Sequence, residues 1–466
     1  MNWKDKRVVM IGAARQGIAL TRYLVQQGAR VVLTDLNPIE DLEEAQQALA
    51  GLPVEWVLGE HPLSLLDRTD VVCPSGGVPL TIPLVIEAQK RGIKLSNDSQ
   101  IFLEAAPCKV IGITGSAGKT TTATLAGLIG QVSLGIAPYR RTFIGGNIGS
   151  PLIAEIDEMT ADDLAVGEFS SFQLEIMTRS PHIAAILNIA PNHLDRHGTM
   201  EAYIAAKLNI FNHQTPEDIT VLWRDDPPTW ALREHVRGRL FSFGSSPLPK
   251  GGVGAYLQNE SIWSRTDEGD HEIIPISDIK LRGQHNLLNV LAACTVAAAA
   301  GLPPQAMRMA VKGFIGVPHR LEFVRTWGGA DWYNDSKATG PQMSVTAIRS
   351  FDEPLIVLAG GRDKHLPWEE FAQVVSERVD HLILFGEAVD IILGALDETG
   401  GEYTLDLCAS LEDAVHVAAR RASPGDVVLL APGGTSFDEF RDFEERGQRF
   451  KHWVHALREM ENEVKQ

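Results

Sequence analysis

The sequence predicts an α/β protein of three domains, each built on a largely parallel β-sheet. Short apolar runs alternate with helix-like segments along the chain, which is the pattern of parallel sheets covered by helices. With 466 residues, the chain also exceeds what a single hydrophobic core usually spans. We place the domains at residues 1–102, 103–316 and 317–466.

The first domain opens with an apolar run, Arg7–Gly12, and a second run, Ala29–Thr34, that ends at Asp35. A glycine-containing turn followed by an acid after the second strand is typical of dinucleotide-binding folds, where the acid meets a ribose. Because Ala14 replaces the middle glycine of that turn, a generic nucleotide-binding βαβ unit is favoured over NAD specificity. Further strand candidates that complete a Rossmann-like sheet are Val54–Leu58, Asp70–Cys73 and Lys94–Ser96.

The second domain contains the motif around which the chain is organised. The strand candidate Lys109–Ile113 runs into a glycine-rich loop and then a helix. Loop amides and the positive end of the helix can surround an anion, Lys119 adds a mobile charge, and the Thr120 hydroxyl can ligate magnesium. This predicts a P-loop ATPase-like domain, although Ile113 stands where the strict pattern has glycine. The predicted phosphate-binding residues are Gly115, Ser116, Ala117, Gly118, Lys119, Thr120, Thr121 and Thr122.

Two later apolar runs of this domain end in polar residues. Leu164–Gly167 leads into Glu168, and Ile183–Ile189 leads into a segment that contains His193. We expect both side chains beside the phosphate loop, where a magnesium ligand is needed. Either residue alone could equally be a capping residue, but their shared position behind one loop favours the functional interpretation.

Lys207 lies on a predicted helix, Met200–Phe211, with apolar residues three and four positions away on both sides. Its side chain is therefore expected on the apolar face of the helix. Desolvation lowers the pKa of an amine, and a neutral amine can react with carbon dioxide, so Lys207 is a candidate for carbamylation. The alternative is that its ammonium group reaches the surface from an apolar stem.

The third domain follows a glycine- and proline-containing link at residues 313–318. Its strand candidates each run into glycine, as open α/β sheets do at a ligand-binding edge, which indicates a second Rossmann-like domain. The tail, Phe440–Gln466, is predicted to be a charged amphipathic helix. The strand candidates of the third domain are Pro354–Ala359, His381–Phe385 and Asp426–Leu430.

Before the link, Asn286 and Asn289 stand one turn apart near the start of a helix, where they could cap the helix or contact a base.

Charge and cysteine content narrow the class of partner. The formal net charge of −18 argues against nucleic acid or an anionic membrane as the partner. The longest apolar run, Val290–Leu302, is too short to span a bilayer, and the charged N-terminus does not resemble an export signal. The cysteines lack metal-binding spacing and fit a reducing compartment, so we expect a cytoplasmic protein. They are Cys73, Cys108, Cys294 and Cys408.

Nine motifs, in their order along the chain, resemble those of the Mur ligases, and the resemblance covers essentially the whole sequence. They are TGSAGKTT (114–121), GGNIG (145–149), EFSSFQLE (168–175), NHLDR (192–196), YIAAK (203–207), GQHNLLN (283–289), PHRLE (318–322), NDSKAT (334–339) and SFDEFRDFEERG (436–447).

The resemblance implies an ATP-dependent, monomeric ligase of peptidoglycan precursor synthesis that joins D-glutamate to UDP-N-acetylmuramoyl-L-alanine through an acyl phosphate. It implies two Mg²⁺ sites held by Thr120, Glu168, His193 and a carbamylated Lys207. Lys119, Glu168, His193, Lys207 and Lys337 would be catalytic. Asn286, Asn289, Arg320 and Asp335 would contact ATP beyond the phosphate loop. Arg15, Asp35 and Asn147 would bind the UDP-sugar, and Lys337, Thr339, Lys364, Ser436 and Phe443 the incoming amino acid.

The chain also departs from the family pattern, and two other functions remain open. Leu36 and Asn37 stand where the family often has threonine and a basic residue, and Arg15 is a possible substitute. A nicotinamide oxidoreductase would suit the first domain but leave Lys119 and Glu168 without a role. A non-catalytic nucleotide-binding scaffold is disfavoured because each candidate catalytic position holds a competent residue.

Overall fold

The computed structural model describes residues 2–147, 149–399, 401 and 403–458. By their contacts the residues divide into two compact units, one formed by Met1–Ile279 with Leu288–Gly313 and the other by Lys280–Leu287 with Phe314–Gln466. The described strands form three sheets, two in the first unit and one in the second. The predicted α/β class with three largely parallel sheets is confirmed, whereas the boundaries at residues 102 and 316 stay predictions.

The first sheet is parallel throughout and has the strand order β3-β2-β1-β4-β5. Its strands are β1 (Arg7–Ile11), β2 (Arg30–Asp35), β3 (Val54–Leu58), β4 (Val71–Pro74) and β5 (Lys94–Leu95). The connecting helices are α1 (Arg15–Gln26), α2 (Glu43–Ala48), α3 (Pro83–Lys90) and α4 (Asp98–Ala105). Since β1 lies at the centre, the turn that follows it opens at the carboxyl edge of the sheet, where such folds bind ligands.

The second sheet has the order β14-β13-β12-β11-β10-β9-β6-β8-β7. It is parallel from β7 to β12 and ends in an antiparallel meander of β12, β13 and β14. The strands are β6 (Lys109–Thr114), β7 (Thr142–Gly146), β8 (Leu164–Glu168), β9 (Ile183–Ile186), β10 (Ile219–Trp223), β11 (Arg239–Phe243), β12 (Val253–Gln258), β13 (Ser261–Thr266) and β14 (Gly269–Pro275). The helices are α5 (Lys119–Val132), α6 (Ser171–Leu174), α7 (Leu194–His197), α8 (Met200–Leu208), α9 (Pro227–Ala231), α10 (Gln284–Ala299) and α11 (Pro304–Gly313).

The third sheet has the order β15-β16-β20-β17-β18-β19 and is parallel apart from β15. Its strands are β15 (Glu322–Trp327), β16 (Ala330–Asn334), β17 (Leu355–Gly360), β18 (His381–Phe385), β19 (Thr404–Cys408) and β20 (Val427–Gly433). The helices are α12 (Pro341–Ile348), α13 (Glu369–Arg378), α14 (Val389–Thr399), α15 (Leu411–Arg421) and α16 (Phe443–Ala456).

The central strands are apolar without interruption because both faces of each sheet are covered. In β1, Val8 and Met10 belong to one hydrophobic cluster, and Val9 and Ile11 to another on the opposite face. Alternate residues of β17 divide in the same way between two clusters of the second unit. Helices on both faces are what parallel sheets require, which explains why these strands were recognisable as short apolar runs.

Some sequence-based expectations differ in detail. The antiparallel strands β13, β14 and β15 were not predicted. Helix α8 ends at Leu208 rather than Phe211, and α16 begins at Phe443 rather than Phe440; residues 459–466 of the predicted tail lie outside the described residues. Among the described helices, none combines the length and the apolarity needed to cross a membrane.

Candidate active site

The phosphate-loop candidate leaves the carboxyl end of β6, which lies between β9 and β8 in the second sheet. Gly118 occupies the N-cap of α5 with a left-handed φ of 83°, a conformation that glycine adopts without strain. A β-carbon at this position would also collide with Asn289 Oδ1. The expected arrangement of strand, glycine-rich loop and helix N-terminus is therefore present, with Asn289 against the loop.

Asn188 fixes this loop and was not predicted. Its side-chain Oδ1 accepts a hydrogen bond from Ala117 N at 2.8 Å, and its Nδ2 donates to Ala117 O at 3.1 Å. Its own carbonyl accepts from Ser116 N at 3.0 Å. The only signal in the sequence was an asparagine within the apolar run Ile183–Ile189, a pattern that predicts a buried strand.

Ser116 connects the loop to two other segments. Its hydroxyl donates to Ala190 O at 2.9 Å and lies 3.0 Å from the Tyr203 hydroxyl. Thr121 and Thr122, also predicted to contact phosphate, have buried side chains on α5. The Thr122 amide donates to Gly118 O at 3.0 Å, so a contribution to phosphate binding would have to come from the backbone amide of Thr121.

Glu168 ends β8, and the parallel register places it opposite Ile113 at the end of β6. The residue is 2% exposed, and Asn147 Nδ2 donates to its Oε1 at 3.1 Å. Within the described part of the chain, its Oε2 is buried and accepts no hydrogen bond. A buried carboxylate oxygen without a partner is costly, and it is a suitable ligand for a hard cation such as Mg²⁺.

Lys207 is 1% exposed, so its expected burial is confirmed and the alternative of a surface ammonium group is wrong. Its Nζ donates to Gly115 O at 2.9 Å and to Thr114 Oγ1 at 3.3 Å, and lies 4.7 Å from the centre of the Tyr203 ring. Burial, with a smaller contribution from the charge of Lys119, lowers the pKa of Lys207 well below its usual 10.5, while Glu168 opposes the shift. The amine is thus held beside the phosphate loop in a setting that favours its neutral form.

The remaining predicted metal-binding residues lie at starts of helices. His193 is exposed, precedes α7 and has a left-handed φ of 54°. Its ring meets the edge of Phe172 with 4.9 Å between centroids. Thr120 is half-buried in the first turn of α5. No group of three His, Cys, Asp or Glu side chains forms a ready-made metal site among the described residues, so a metal here would also need hydroxyl, phosphate, water or carbamate ligands.

Of the three residues predicted to bind the UDP-sugar, Arg15 and Asp35 lie at the carboxyl edge of the first sheet, whereas Asn147 follows β7 of the second sheet. Asp35 accepts hydrogen bonds from Ala13 N at 2.8 Å and from Asn37 N at 2.9 Å. It therefore ties the turn after β1 to the turn after β2. Arg15 is exposed at the start of α1, and Leu36 is 64% exposed, so both are accessible to a ligand at this edge.

In the second unit, Asp335 and Lys337 follow β16 at the carboxyl edge of the third sheet. Asp335 is buried and accepts from Leu321 N at 3.1 Å. Burial raises its pKa to about 6, although the charges of Arg320 and Lys337 oppose the shift. The Lys337 ammonium lies 5.8 Å from the centre of the Phe443 ring. In the same unit, Asn286 Nδ2 donates to Arg282 O at 2.7 Å.

The other predicted amino-acid-binding residues lie along the same edge. Lys364 Nζ donates to Thr339 Oγ1 at 3.2 Å, and burial lowers the Lys364 pKa, with a smaller contribution from Arg446. Ser436 is buried just beyond β20. Sequence reasoning missed Arg446, which lies in the segment predicted to be a charged amphipathic helix.

Arg446 is fully buried, and within the described part of the chain its guanidinium donates hydrogen bonds to uncharged acceptors. They are Ser336 O and Oγ, Gly434 O and Thr435 O, at 2.9–3.1 Å. Because Ser336 precedes Lys337 and Thr435 precedes Ser436, this guanidinium fixes two segments that carry predicted substrate ligands. Burial lowers the pKa of Arg446 to about 10, so it remains a cation at neutral pH.

A strand, phosphate loop and helix, with a buried carboxylate ending the adjacent strand, define a P-loop nucleotide-using α/β protein. Three family profiles match the chain: the Mur ligase MurD-like N-terminal domain at residues 6–97, the Mur ligase middle domain at 113–297, and the Mur ligase glutamate ligase domain at 319–434. The chain belongs to the Mur ligase family.

Curated relatives and solved structures agree with this assignment. UDP-N-acetylmuramoylalanine–D-glutamate ligase of Symbiobacterium thermophilum is 41% identical, and that of Pelotomaculum thermopropionicum 40%, each over 97% of this chain and 98% of the relative. Among solved structures, UDP-N-acetylmuramate-alanine ligase MurC of Thermotoga maritima has a TM-score of 0.58 at 17% identity, covering 97% of this chain and 99% of its own. MurF ligase of T. maritima in complex with ADP has 0.55 at 18%, covering 97% and 96%. These two share the fold.

Proposed function

We propose that the chain is an ATP-dependent ligase that joins D-glutamate to UDP-N-acetylmuramoyl-L-alanine in cytoplasmic peptidoglycan precursor synthesis. The observation that carries the proposal is a buried carboxylate, Glu168, and a buried amine, Lys207, beside one phosphate loop. Support comes from relatives named for this reaction, which match 97% of the chain. We further propose that the enzyme acts as a monomer, with its substrates distributed over domains 1–102, 103–316 and 317–466.

The first half of the reaction transfers the γ-phosphoryl group of ATP to the acceptor carboxylate and gives an acyl phosphate. The loop amides and Lys119 would hold the β- and γ-phosphates, with Asn289, Asn286, Arg320 and Asp335 on the rest of the nucleotide. Arg15, Asp35 and Asn147 would hold the UDP-sugar. Thr120, Glu168, His193 and a carbamylated Lys207 would hold two Mg²⁺ ions, which when bound neutralise the charge that develops during transfer.

The second half joins the amino group of D-glutamate to the activated carbonyl carbon and releases phosphate. We assign the incoming amino acid to Lys337, Thr339, Lys364, Ser436 and Phe443. Lys364 and Lys337 are suited to bind its carboxylates because both place an amine at the sheet edge, and Arg446 adds a buried positive charge. Holding two anionic substrates in reacting geometry is the main contribution expected from these residues.

An ADP-release assay with UDP-N-acetylmuramoyl-L-alanine, Mg²⁺ and a panel of D- and L-amino acids tests the proposal. We expect ADP only with D-glutamate. Lys119→Ala should abolish turnover and leave acceptor binding unchanged, whereas Lys109→Ala, on an exposed residue at the other end of β6, should behave as wild type. If the wild type released no ADP with ATP, UDP-N-acetylmuramoyl-L-alanine, D-glutamate and Mg²⁺ all present, the proposed function would be refuted. If ADP appeared with a different amino acid and not with D-glutamate, the assigned donor would be wrong.

A further inference from the structure

Arg196 connects the central part of the first unit to a loop of the first sheet through consecutive backbone carbonyls. Its Nη1 donates to Gly76 O at 3.1 Å and to Gly77 O at 3.4 Å, and its Nη2 donates to Val78 O at 2.8 Å. A planar guanidinium that engages several acceptors fixes their orientation as well as their distance. The loop at residues 76–78 is therefore held in a defined position by one side chain.

This loop leaves β4 and lies against the turn that follows β1. Ser75 N donates to Ile11 O at 2.9 Å, the Ser75 hydroxyl donates to Gly12 O at 3.3 Å, and Gly76 N donates to Gln16 Oε1 at 3.3 Å. Both segments belong to the carboxyl edge of the first sheet, the edge at which an open α/β sheet binds its ligand. A displacement of residues 76–78 would thus move one side of the acceptor site.

The other side of the guanidinium packs on an aromatic ring. The Arg196 Cζ lies 3.8 Å from the centre of the Phe172 ring, a close cation–π contact. The same ring meets His193 edge-on at 4.9 Å and stacks on His197 at 5.3 Å. The ring that supports Arg196 therefore also packs against the histidine assigned to the reacting centre.

We propose that Arg196 is a positioning residue that holds the acceptor-binding loop of the first domain at a fixed place relative to His193. The inference rests on the proposed function and deepens it, since it explains how the acceptor carboxylate is brought to the phosphoryl group. Small displacements of bound reactants cost large factors in rate. Arg196 acts here through the loop and Phe172, without touching the reacting atoms.

The test separates binding of the acceptor from binding of ATP and D-glutamate. Arg196→Lys keeps the positive charge and removes the planar guanidinium that engages several carbonyls at once. The variant is titrated calorimetrically with UDP-N-acetylmuramoyl-L-alanine in the absence of ATP and Mg²⁺. We expect acceptor affinity to fall by about tenfold or more, because charge-assisted hydrogen bonds are lost, with KM values for ATP and D-glutamate unchanged. Arg233→Lys is the matched control, since Arg233 also lies over a ring, 5.4 Å from Trp230, and donates to the Trp230 carbonyl at 2.9 Å.

Wild-type acceptor affinity in Arg196→Lys would overturn the proposal, and so would equal losses for all three substrates. Should that variant not fold, Phe172→Leu carries the test, because leucine keeps apolar bulk and removes only the ring face; a smaller but equally selective loss is expected. The double variant, Arg196→Lys with Phe172→Leu, should bind the acceptor no more weakly than Arg196→Lys alone, because Phe172 acts through Arg196. Additive losses of affinity would contradict this. A wild type that releases no ADP refutes the proposed function instead.

Discussion

Replacing Lys207 by methionine is expected to stabilise the fold and abolish turnover. Lys207 is 1% exposed, and methionine matches the length of its aliphatic stem without an amine to desolvate. Both hydrogen-bond partners of Lys207 keep another hydrogen bond when the amine is removed. Thr114 Oγ1 also donates to Phe169 O at 2.8 Å, and Gly115 O also accepts from Lys119 Nζ at 3.1 Å.

The expected gain follows from the cost of burying a polar group with incomplete compensation, about 1–3 kcal/mol in protein mutational data. The sign of its pH dependence is fixed by the direction of the shift, since the pKa of Lys207 is lower in the folded protein than its usual 10.5. Between those two values the unfolded chain binds the additional proton, so the penalty in the wild type fades as pH rises toward 10.5. The advantage of the methionine variant should therefore be larger at pH 7 than at pH 10.

Unfolding midpoints of both proteins are measured in carbon-dioxide-free buffer with EDTA, alongside ADP release. Adding bicarbonate and Mg²⁺ should raise the midpoint of the wild type only, because the carbamate removes the buried amine and supplies a metal ligand. Small carboxylic acids should restore part of the activity of Lys207→Ala, in which they have room to replace the carbamate. A methionine variant that unfolds at lower denaturant than the wild type, or that retains full activity, would refute this reasoning.

Three further substitutions test the phosphate loop and the third sheet. Gly118→Ala should lose about 1–2 kcal/mol from its left-handed backbone and raise the KM for ATP through collision with Asn289; an unchanged KM would contradict the loop assignment. Asn188→Ala removes two hydrogen bonds to Ala117, worth about 1 kcal/mol each, so the KM for ATP should rise roughly tenfold with acceptor affinity unchanged, as separate titrations would show. Asp335→Asn should be more stable than the wild type at pH 8, with the difference narrowing as pH falls through about 6, because the raised pKa makes the ionised form costly; equal urea midpoints at pH 8 would count against this.

The sequence was sufficient to predict those features of the site that depend on hydrophobic periodicity within one helix or on the order of strands and loops along the chain. Glu168 was placed correctly beside the phosphate loop because parallel strands end at one edge, and the register of β8 against β6 brings it opposite Ile113. The burial of Lys207 followed from apolar neighbours at helical spacing. Both inferences need only the type of element and its position in the chain, which are what a sequence pattern conveys.

Residues whose roles depend on contacts between distant segments could not be predicted. Arg446 belongs to a helix rich in charges, and its burial arises because carbonyls from residues 336, 434 and 435 converge on it. Asn188 is similarly defined by its contact with Ala117, which lies 71 positions away. The meander formed by β13 and β14 was not predicted, because the alternation of strands and helices elsewhere in the chain indicates parallel sheets.

The energetics of these buried groups also favour a catalytic protein over a scaffold. Lys207 is an amine held in a setting that disfavours its charge, and Glu168 Oε2 is buried without a hydrogen bond in the described part of the chain. Each feature destabilises the protein as it stands, and both occur beside one phosphate loop. A scaffold that only held a nucleotide would need neither group, whereas magnesium-dependent phosphoryl transfer would use the carboxylate, and a carbamate on the amine, as metal ligands. The destabilisation is therefore the expected cost of a site completed by its ligands, and bound nucleotide with Mg²⁺ should stabilise the wild type more than Lys207→Met.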